Sequence, residues 1–512
     1  MALSKKVLIT GALTLTIANI VTRLIGFAYR IFMAGAIGPE GMGMFQLIMP
    51  IYSLAWAISC SGITTTLSRL VAAEQAKGEF GNMRRLLRQS LMITSGLAAV
   101  LTLVLFVFAY PIAAGILNDG RIALSLRILS AAFVFMAAGS CIRGYFLGLQ
   151  KAVIPAASQV IEQLARMTVI LMLAGTFIPR GLEYAAAAAV IGIVAGEALS
   201  FAYVYVAYRR YKGRMPYKRP LMTQNQALFA IMAMATPLTL NRISSSFLSA
   251  VENVLIPQRL QLWGYSAEEA MAVFGKVTGM AMPLIFFPSA ILVALSISLV
   301  PSISEGLAMG QFRQVNSTIS KSIVFTSVIA FGAGLIFVVF PYEIGRLVYN
   351  QDLGMYLLVL GLMCPFWYLN ITFSGVLNGL GEQVFIFRNS LLASLINIAF
   401  TFFLVPHYGV WAFLAGWLAG LVIITVFDIV RIRKVTDVAP QILRWFAKPA
   451  LAALAAGLAV NYLHNNYIAA LGELLGVMFS MALLMGLYGT FIMLLGIVTI
   501  NDIRRMILSF KK

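Results

Sequence analysis

Charge is what this sequence has least of. Asp, Glu, Lys and Arg make up 11% of its 512 residues, less than half of the roughly 25% a soluble chain carries. That excludes an ordinary water-facing globular protein. Histidine is scarcer still. His407 and His464 stand alone, outside any His/Cys/carboxylate spacing suited to a metal. The three cysteines, Cys60, Cys141 and Cys364, all fall in apolar stretches, where a thiol packs as a small hydrophobe. Gly275-Lys276 lacks the upstream glycine and the following Ser/Thr of a phosphate-binding loop. No nucleophile–base pair stands out either. The expectation is therefore no catalytic residue, no metal, no cofactor and no ATP hydrolysis. No segment is long and polar enough for a soluble domain.

What the chain has is apolar residues, 61% of the total. A bilayer core takes about 20 of them per helix, and such stretches recur from end to end. The apolar pattern predicts about fourteen spans: 7–36, 42–72, 90–116, 122–148, 153–178, 183–208, 227–257, 274–304, 317–345, 353–378, 384–406, 410–432, 449–466 and 470–498. The first follows Lys5 and Lys6 as a secretory leader would. It runs too long and contains Arg23, so it reads as a retained helix. The fold class is all-α, a polytopic membrane protein.

The net charge of +19 raises nucleic acid as a partner, and its placement argues against one. With the amino terminus in the cytoplasm and the spans alternating, 26 of the 37 Lys and Arg fall at cytoplasmic termini and loops. Arg209, Arg210, Lys212, Arg214, Lys218 and Arg219 form the largest group. Arg121, Arg180, Arg259, Lys276 and Arg346 fall outside. This is the positive-inside bias, and it predicts a cell-membrane protein with both termini cytoplasmic. The basic loops would also attract anionic membrane lipids.

The sequence repeats itself. Lys77-Gly78-Glu79-Phe80 corresponds to Met309-Gly310-Gln311-Phe312, and Gly144-Tyr-Phe-Leu-Gly148-Leu149 to Gly375-Val-Leu-Asn-Gly379-Leu380. Pro50 pairs with Pro283 at nearly the same offset. Six spans lie in each copy, so the copies share one topology and an axis along the membrane normal should relate them. This gives an N-lobe (1–208), a basic cytoplasmic linker (209–226), a C-lobe (227–432), a cytoplasmic loop (433–448) and a C-terminal hairpin with its tail (449–512). Four Gly-x-x-x-Gly pairs, 144/148, 192/196, 375/379 and 416/420, are expected to let helices pack closely.

Intramembrane charges are the informative residues. An arginine at mid-bilayer costs roughly 2.5–3.5 kcal/mol on insertion scales, so it should meet a partner or a wet cavity. Arg23 and Arg30 share one face of the first span, and Arg242 lies mid-span in the seventh. Convergent guanidiniums suit a phosphate or diphosphate, which they can engage bidentately. Glu162 and Arg166, one turn apart, read either as an ion pair or as substrate contacts. Glu197, Glu252 and Asp428 are the remaining span carboxylates. Glu252, beside Asn253, is the leading ion-coupling candidate, with Na⁺ or H⁺ as the ion. Arg23, Arg30, Arg242, Arg166 and Glu162 make up the candidate substrate site.

Fourteen spans, two six-helix copies and first-helix arginines resemble the multidrug/oligosaccharidyl-lipid/polysaccharide exporter superfamily. Thr22-Arg-Leu-Ile-Gly-Phe-Ala-Tyr-Arg30, Gly38-Pro-Glu-Gly-Met-Gly-Met-Phe-Gln46 and Leu67-Ser-Arg-Leu-Val-Ala-Ala-Glu74 look like the stage V sporulation protein B family. Phe287-Pro-Ser289, Ala294-Leu295 and Pro301-Ser-Ile-Ser304 are similar to the superfamily's lipid II flippases. The resemblance implies that a lipid-linked cell-wall precursor is turned over between leaflets by alternating access, through a central cationic cavity. It also implies a groove for the polyprenyl tail on the last two helices. The expected function is a flippase for undecaprenyl-diphosphate-linked peptidoglycan precursor, with spore cortex formation as a setting and cell-wall synthesis proteins as candidate partners. The alternatives are export of a capsular or teichoic lipid-linked unit, a cation-coupled drug antiporter, and a membrane scaffold.

Overall fold

The computed structural model describes residues 5–213, 218–439, 441–468, 470 and 472–498, and over these the chain is almost entirely helical. The main helices are α1 (Lys5–Trp56), α2 (Gly62–Ala76), α3 (Phe80–Val107), α4 (Ala123–Ser130), α5 (Ala132–Gly148), α6 (Val153–Phe177), α7 (Leu182–Lys212), α8 (Gln224–Trp263) and α9 (Ala267–Phe274). They continue with α10 (Met282–Phe286), α11 (Ala290–Ala308), α12 (Phe312–Val339), α13 (Gly354–Gly379), α14 (Gln383–Ala399), α15 (Val410–Val435), α16 (Lys448–Leu463) and α17 (Glu473–Leu494). Among the described residues, 13 helices are long and apolar enough to cross a membrane. The bent pair Gly120–Ser130 and Ala132–Gly148, at 41°, brings the number to 14. The protein is an all-α, multi-pass membrane protein.

The first and second predicted spans are two helices, parted at Gly38, whose backbone is not helical (φ 68, ψ −176). That backbone is open to glycine and costly for other residues, and Pro39 disfavours a helical residue before it. The predicted eighth span is two helices, 267–286 and 290–308, parted at Phe287-Pro288-Ser289. Pro288 has no N–H to continue the ladder, which explains the break.

By its internal contacts the chain divides into two compact units, Met1–Gly275 and Lys276–Lys512. In the first, α6 lies along α7, α5 packs on α2, α3 and α7, and α1 packs on α6 through α9. Helix α8 sits against α1, α2 and α3, so the unit extends beyond the linker that precedes that helix. The linker is itself fastened there. Asn82 Oδ1 accepts from Met222 N (2.9 Å) while its amide donates to Glu74 (2.7 Å), and Lys218 pairs with Glu79 (2.6 Å).

In the second unit α12 packs on α13, α11 on α13, and α14 on α15. Helices α16 and α17 pack on each other and on α12. The internal repeat is visible in element boundaries. Helices α3 and α12 are both 28 residues long and begin 232 residues apart. Each follows a glycine in the left-handed region, Gly78 (φ 73) and Gly310 (φ 69).

The Gly-x-x-x-Gly pairs all meet neighbouring helices. A Cβ on Gly144 would lie 2.8 Å from Thr64 O, and one on Gly148 2.6 Å from Ser68 O, so α5 rests on α2 backbone to backbone. In the second unit Gly375 and Gly379 rest in the same way on Ser296 and Ile303 of α11, and Gly416 and Gly420 face Phe400 and Asn397. Cys60, Cys141 and Cys364 are free and buried, with Cys60 Sγ 3.1 Å from Ser59 Oγ and Cys141 Sγ 3.2 Å from Thr94 Oγ1.

Candidate functional site

A cluster of charged side chains inside the first unit lies where α1, α5, α6 and α7 meet, and glycines set its geometry. A Cβ on Gly192 would fall 3.0 Å from Arg166 O, and one on Gly196 2.8 Å from Glu162 O. Helix α7 therefore lies almost backbone to backbone on the stretch of α6 that bears the Glu162–Arg166 pair. Glu197, next after Gly196, is carried into the same region. From the other side, Gly26 of α1 approaches Gln163, to which an added Cβ would come within 2.7 Å. One turn later Tyr29 is buried and lies within the fields of both Arg166 and Arg30.

Glu162 and Arg166 form an ion pair at 3.0 Å, with 19% and 18% of the two side chains exposed. Sequence spacing left this pair open between pairing and substrate contact, and the geometry shows the pairing. The Arg166 Nε remains buried without a hydrogen-bond partner, as does Gln159 Oε1 two turns earlier on α6. Tyr52 of α1 donates its phenol proton to Glu197 Oε1. Arg143 of α5 donates to Ser200 (3.0 Å) and Ser140 (3.1 Å) and stands 3.9 Å from Glu197 Oε2. Glu162 and Arg166 act electrostatically on both Tyr52 and Glu197. Two carboxylates and two guanidiniums thus share one low-dielectric region and balance in charge. Such a cluster tolerates burial because each charge is offset within it.

The remaining candidate residues lie around this cluster or apart from it. Arg30 is half-buried beside it, and Arg23, seven residues earlier on α1, is exposed. Arg242 is exposed on α8, a helix that packs on α1. Glu252 is half-buried further along α8; the amide of its neighbour Asn253 donates to Ser249 O of its own helix (2.7 Å). Asp428 is buried and accepts from Asn389 (2.8 Å), while Arg431 pairs with Glu382 (2.8 Å). Among the described residues no group of His, Cys, Asp and Glu could hold a metal.

Arg143 and Tyr52 were missed in the sequence. Arg143 sits five residues before Gly148 at the end of its helix, where a cation reads as one more cytoplasmic charge. Its partner lies 54 positions away (Glu197), so no local spacing reports the contact.

In the second unit an apolar cleft of about 400 Å³ runs between α12, α13 and α16. Phe331, Leu335, Val338, Leu362, Leu454 and Leu458 are among its lining residues, and at Gly334 α12 comes close to the backbone of α13, since an added Cβ would lie 2.6 Å from Gly361 O. The cleft's lining side chains are apolar apart from Asn461.

The fold is one found among membrane transporters. The structure aligns with the lipid II flippase MurJ in its inward-closed conformation (TM-score 0.73, 14% identity, 94% of this chain and 98% of that one). It also aligns with an inward-facing multidrug resistance MATE family transporter of the MOP superfamily (TM-score 0.65, 14% identity, 82% and 96%).

The chain belongs to the polysaccharide biosynthesis protein family, whose model matches residues 8–307; the MatE model matches 262–403. It is similar to stage V sporulation protein B of Bacillus subtilis, at 29% identity over 86% of each chain. It is also similar to the lipid II flippase MurJ of that organism, at 24% identity over 62% of this chain and 61% of that one.

Proposed function

We propose that the protein exports an undecaprenyl-diphosphate-linked peptidoglycan precursor, of the lipid II type, across the cytoplasmic membrane by alternating access. The observation that carries this reading is the charge arrangement in the first unit. Glu162, Arg166, Glu197 and Arg143 balance one another, and Arg30 and Arg23 add positive charge on one face of α1. A diphosphate headgroup cannot cross hydrocarbon unaided, and guanidiniums engage phosphate oxygens in pairs. Arg242 on the adjacent α8 serves the same headgroup.

The apolar cleft beside α16 suits a polyprenyl tail, since each buried methylene contributes about 0.8 kcal/mol. Moving negative charge outward down an inside-negative potential is favourable by about 2.3 kcal/mol per charge per 100 mV. Transport then needs no nucleotide and no covalent step on the cargo. Both termini lie in the cytoplasm in this reading, with the basic linker, and Glu252 is a candidate for a coupling Na⁺ or H⁺. The name of the sporulation relative supports a setting in spore cortex synthesis, where wall-synthesis proteins would be neighbours.

The second reading is export of another lipid-linked polysaccharide unit, favoured by the family match over 8–307. The same arginines would serve, because the diphosphate–lipid end is shared. The test is outward turnover of lipid II in proteoliposomes by the wild type and by Arg30→Gln. Turnover that Arg30→Gln abolishes supports the reading. Turnover unaffected by that change and by Arg23→Gln removes the arginines from the mechanism. Turnover only of a different lipid-linked glycan selects the second reading.

A further inference from the structure

We propose that the linker is a fastening strap and not a hinge. It locks the start of the seventh transmembrane helix, α8, onto the first unit, so that this helix moves with that unit and the joint between the moving bodies lies beyond Gly275. The movement rests on the alternating-access reading; the fastening rests on the first unit alone.

The sequence repeat counts α8 as the first helix of the second copy, which makes the linker before it the obvious hinge. A hinge needs backbone free to change its dihedrals, and residues 218–222 are held along their length. Lys218 Nζ donates to Glu79 (2.6 Å) and to Gly78 O (3.2 Å) at the turn between α2 and α3. That side chain is 46% exposed, so its pair adds little. The buried contacts do more. The strap crosses α3 at Gly81, where an added Cβ would lie 2.5 Å from Lys218 O and 2.6 Å from Arg219 O. Met222 is held at both of its backbone polar groups, its N–H by Asn82 Oδ1 (2.9 Å) and its carbonyl by Arg85. Asn82 is itself anchored to the buried Glu74 (2.7 Å). The next residue, Thr223, caps α8: its Oγ1 accepts from Gln226 N (3.3 Å), and Gln226 Oε1 accepts from Thr223 N (2.8 Å). The helix therefore starts directly after a fixed point. Farther along, an added Cβ on Gly62 of α2 would lie 2.5 Å from Ala235 O of α8. Gln258, about 50 Å of helix beyond Met222, donates to Ile116 O after α3 (2.6 Å). Both ends of α8 are tied to the first unit.

The second copy serves as an internal control. Gly310 repeats the left-handed turn of Gly78, and α12 repeats α3 in length. At the same offset, Glu79, Gly81, Asn82 and Arg85 are replaced by Gln311, Arg313, Gln314 and Ser317. Gln311, Arg313 and Gln314 are all exposed, while Gly81 and Asn82 are buried. The turn and its helix thus form without these four residues. What the first copy adds is the set of groups that hold the strap.

The test ties the strap shut. Glu79→Cys and Lys218→Cys, introduced together in the full chain, are bridged by a short bis-methanethiosulfonate; the native thiols are buried. Lipid II turnover in proteoliposomes is measured before bridging, after it, and after reduction. The bridged protein should turn over lipid II within about twofold of the reduced one. A loss of roughly tenfold or more on bridging, restored by reduction, overturns the proposal, because the strap would then have to open in each cycle. Spin labels give a readout that needs no cargo. Labels at Arg88→Cys of α3 and Phe229→Cys of α8, both exposed positions, should keep one separation under all conditions. Labels at Arg88→Cys and Arg313→Cys should show more than one. A second Arg88–Phe229 distance overturns the proposal. A wild type that turns over no lipid II, with the first distance single and the second not, keeps the strap and removes the anion-export reading.

Discussion

Separating Glu162 from Arg166 should cost the protein more than either residue is worth as a surface charge. The two lie 3.0 Å apart with less than a fifth of each side chain exposed. At an effective dielectric near 20, unit charges about 4 Å apart attract by about 4 kcal/mol. Removing one partner leaves the other charge buried and unmatched, which typically costs about 3–5 kcal/mol. The residual exposure of this pair places the expected loss near the lower bound, about 3 kcal/mol. Glu162→Gln and Arg166→Gln should therefore each lower the melting temperature of the purified protein clearly. The double variant should recover much of the loss, with a coupling energy of about 2 kcal/mol. Thermal unfolding of all four proteins in one detergent closes the cycle. Strictly additive losses would refute the reasoning and show that each residue finds its compensation elsewhere.

Other parts of the fold make equally direct claims. Gly144→Leu and Gly375→Leu should each sharply reduce folded protein in size-exclusion profiles, because the added carbons run into the Thr64 and Ser296 backbones; even Ala should cost about 1–3 kcal/mol. Asn82→Ala removes the side chain joining Glu74 to Met222, and should speed proteolysis within the linker 209–226 while lowering stability by about 1–3 kcal/mol. Trp445, buried against Ile323, Phe373 and Ile432, should cost about 3–5 kcal/mol when cut to alanine, measurable as a drop in melting temperature.

Most of the architecture was legible because a bilayer enforces long apolar helices, and hydropathy reads those directly. The boundary that moved depends on a single residue: Pro288 cuts a helix that hydropathy joins, whereas Gly38 parts two helices where hydropathy already divides them. The Gly-x-x-x-Gly pairs showed their packing role at sequence level, since small residues four apart leave one face bare. The candidate site was legible in part. Glu162 and Arg166 are one turn apart, so spacing allowed their pairing without deciding it against substrate contact. The meeting of Tyr52, Arg143 and Glu197 is long-range, set by how α7 lies on α6 and α5, and no periodicity encodes it.

The central claim is that the first-unit arginines carry an anionic lipid headgroup. Its most direct measurement is the turnover rate of purified lipid II in proteoliposomes under an imposed potential, negative on the side of the basic linker. The account predicts turnover that rises with the potential and is nearly lost in Arg30→Gln, with Arg23→Gln and Arg242→Gln each slowed. Equal turnover in the wild type and all three variants would contradict it.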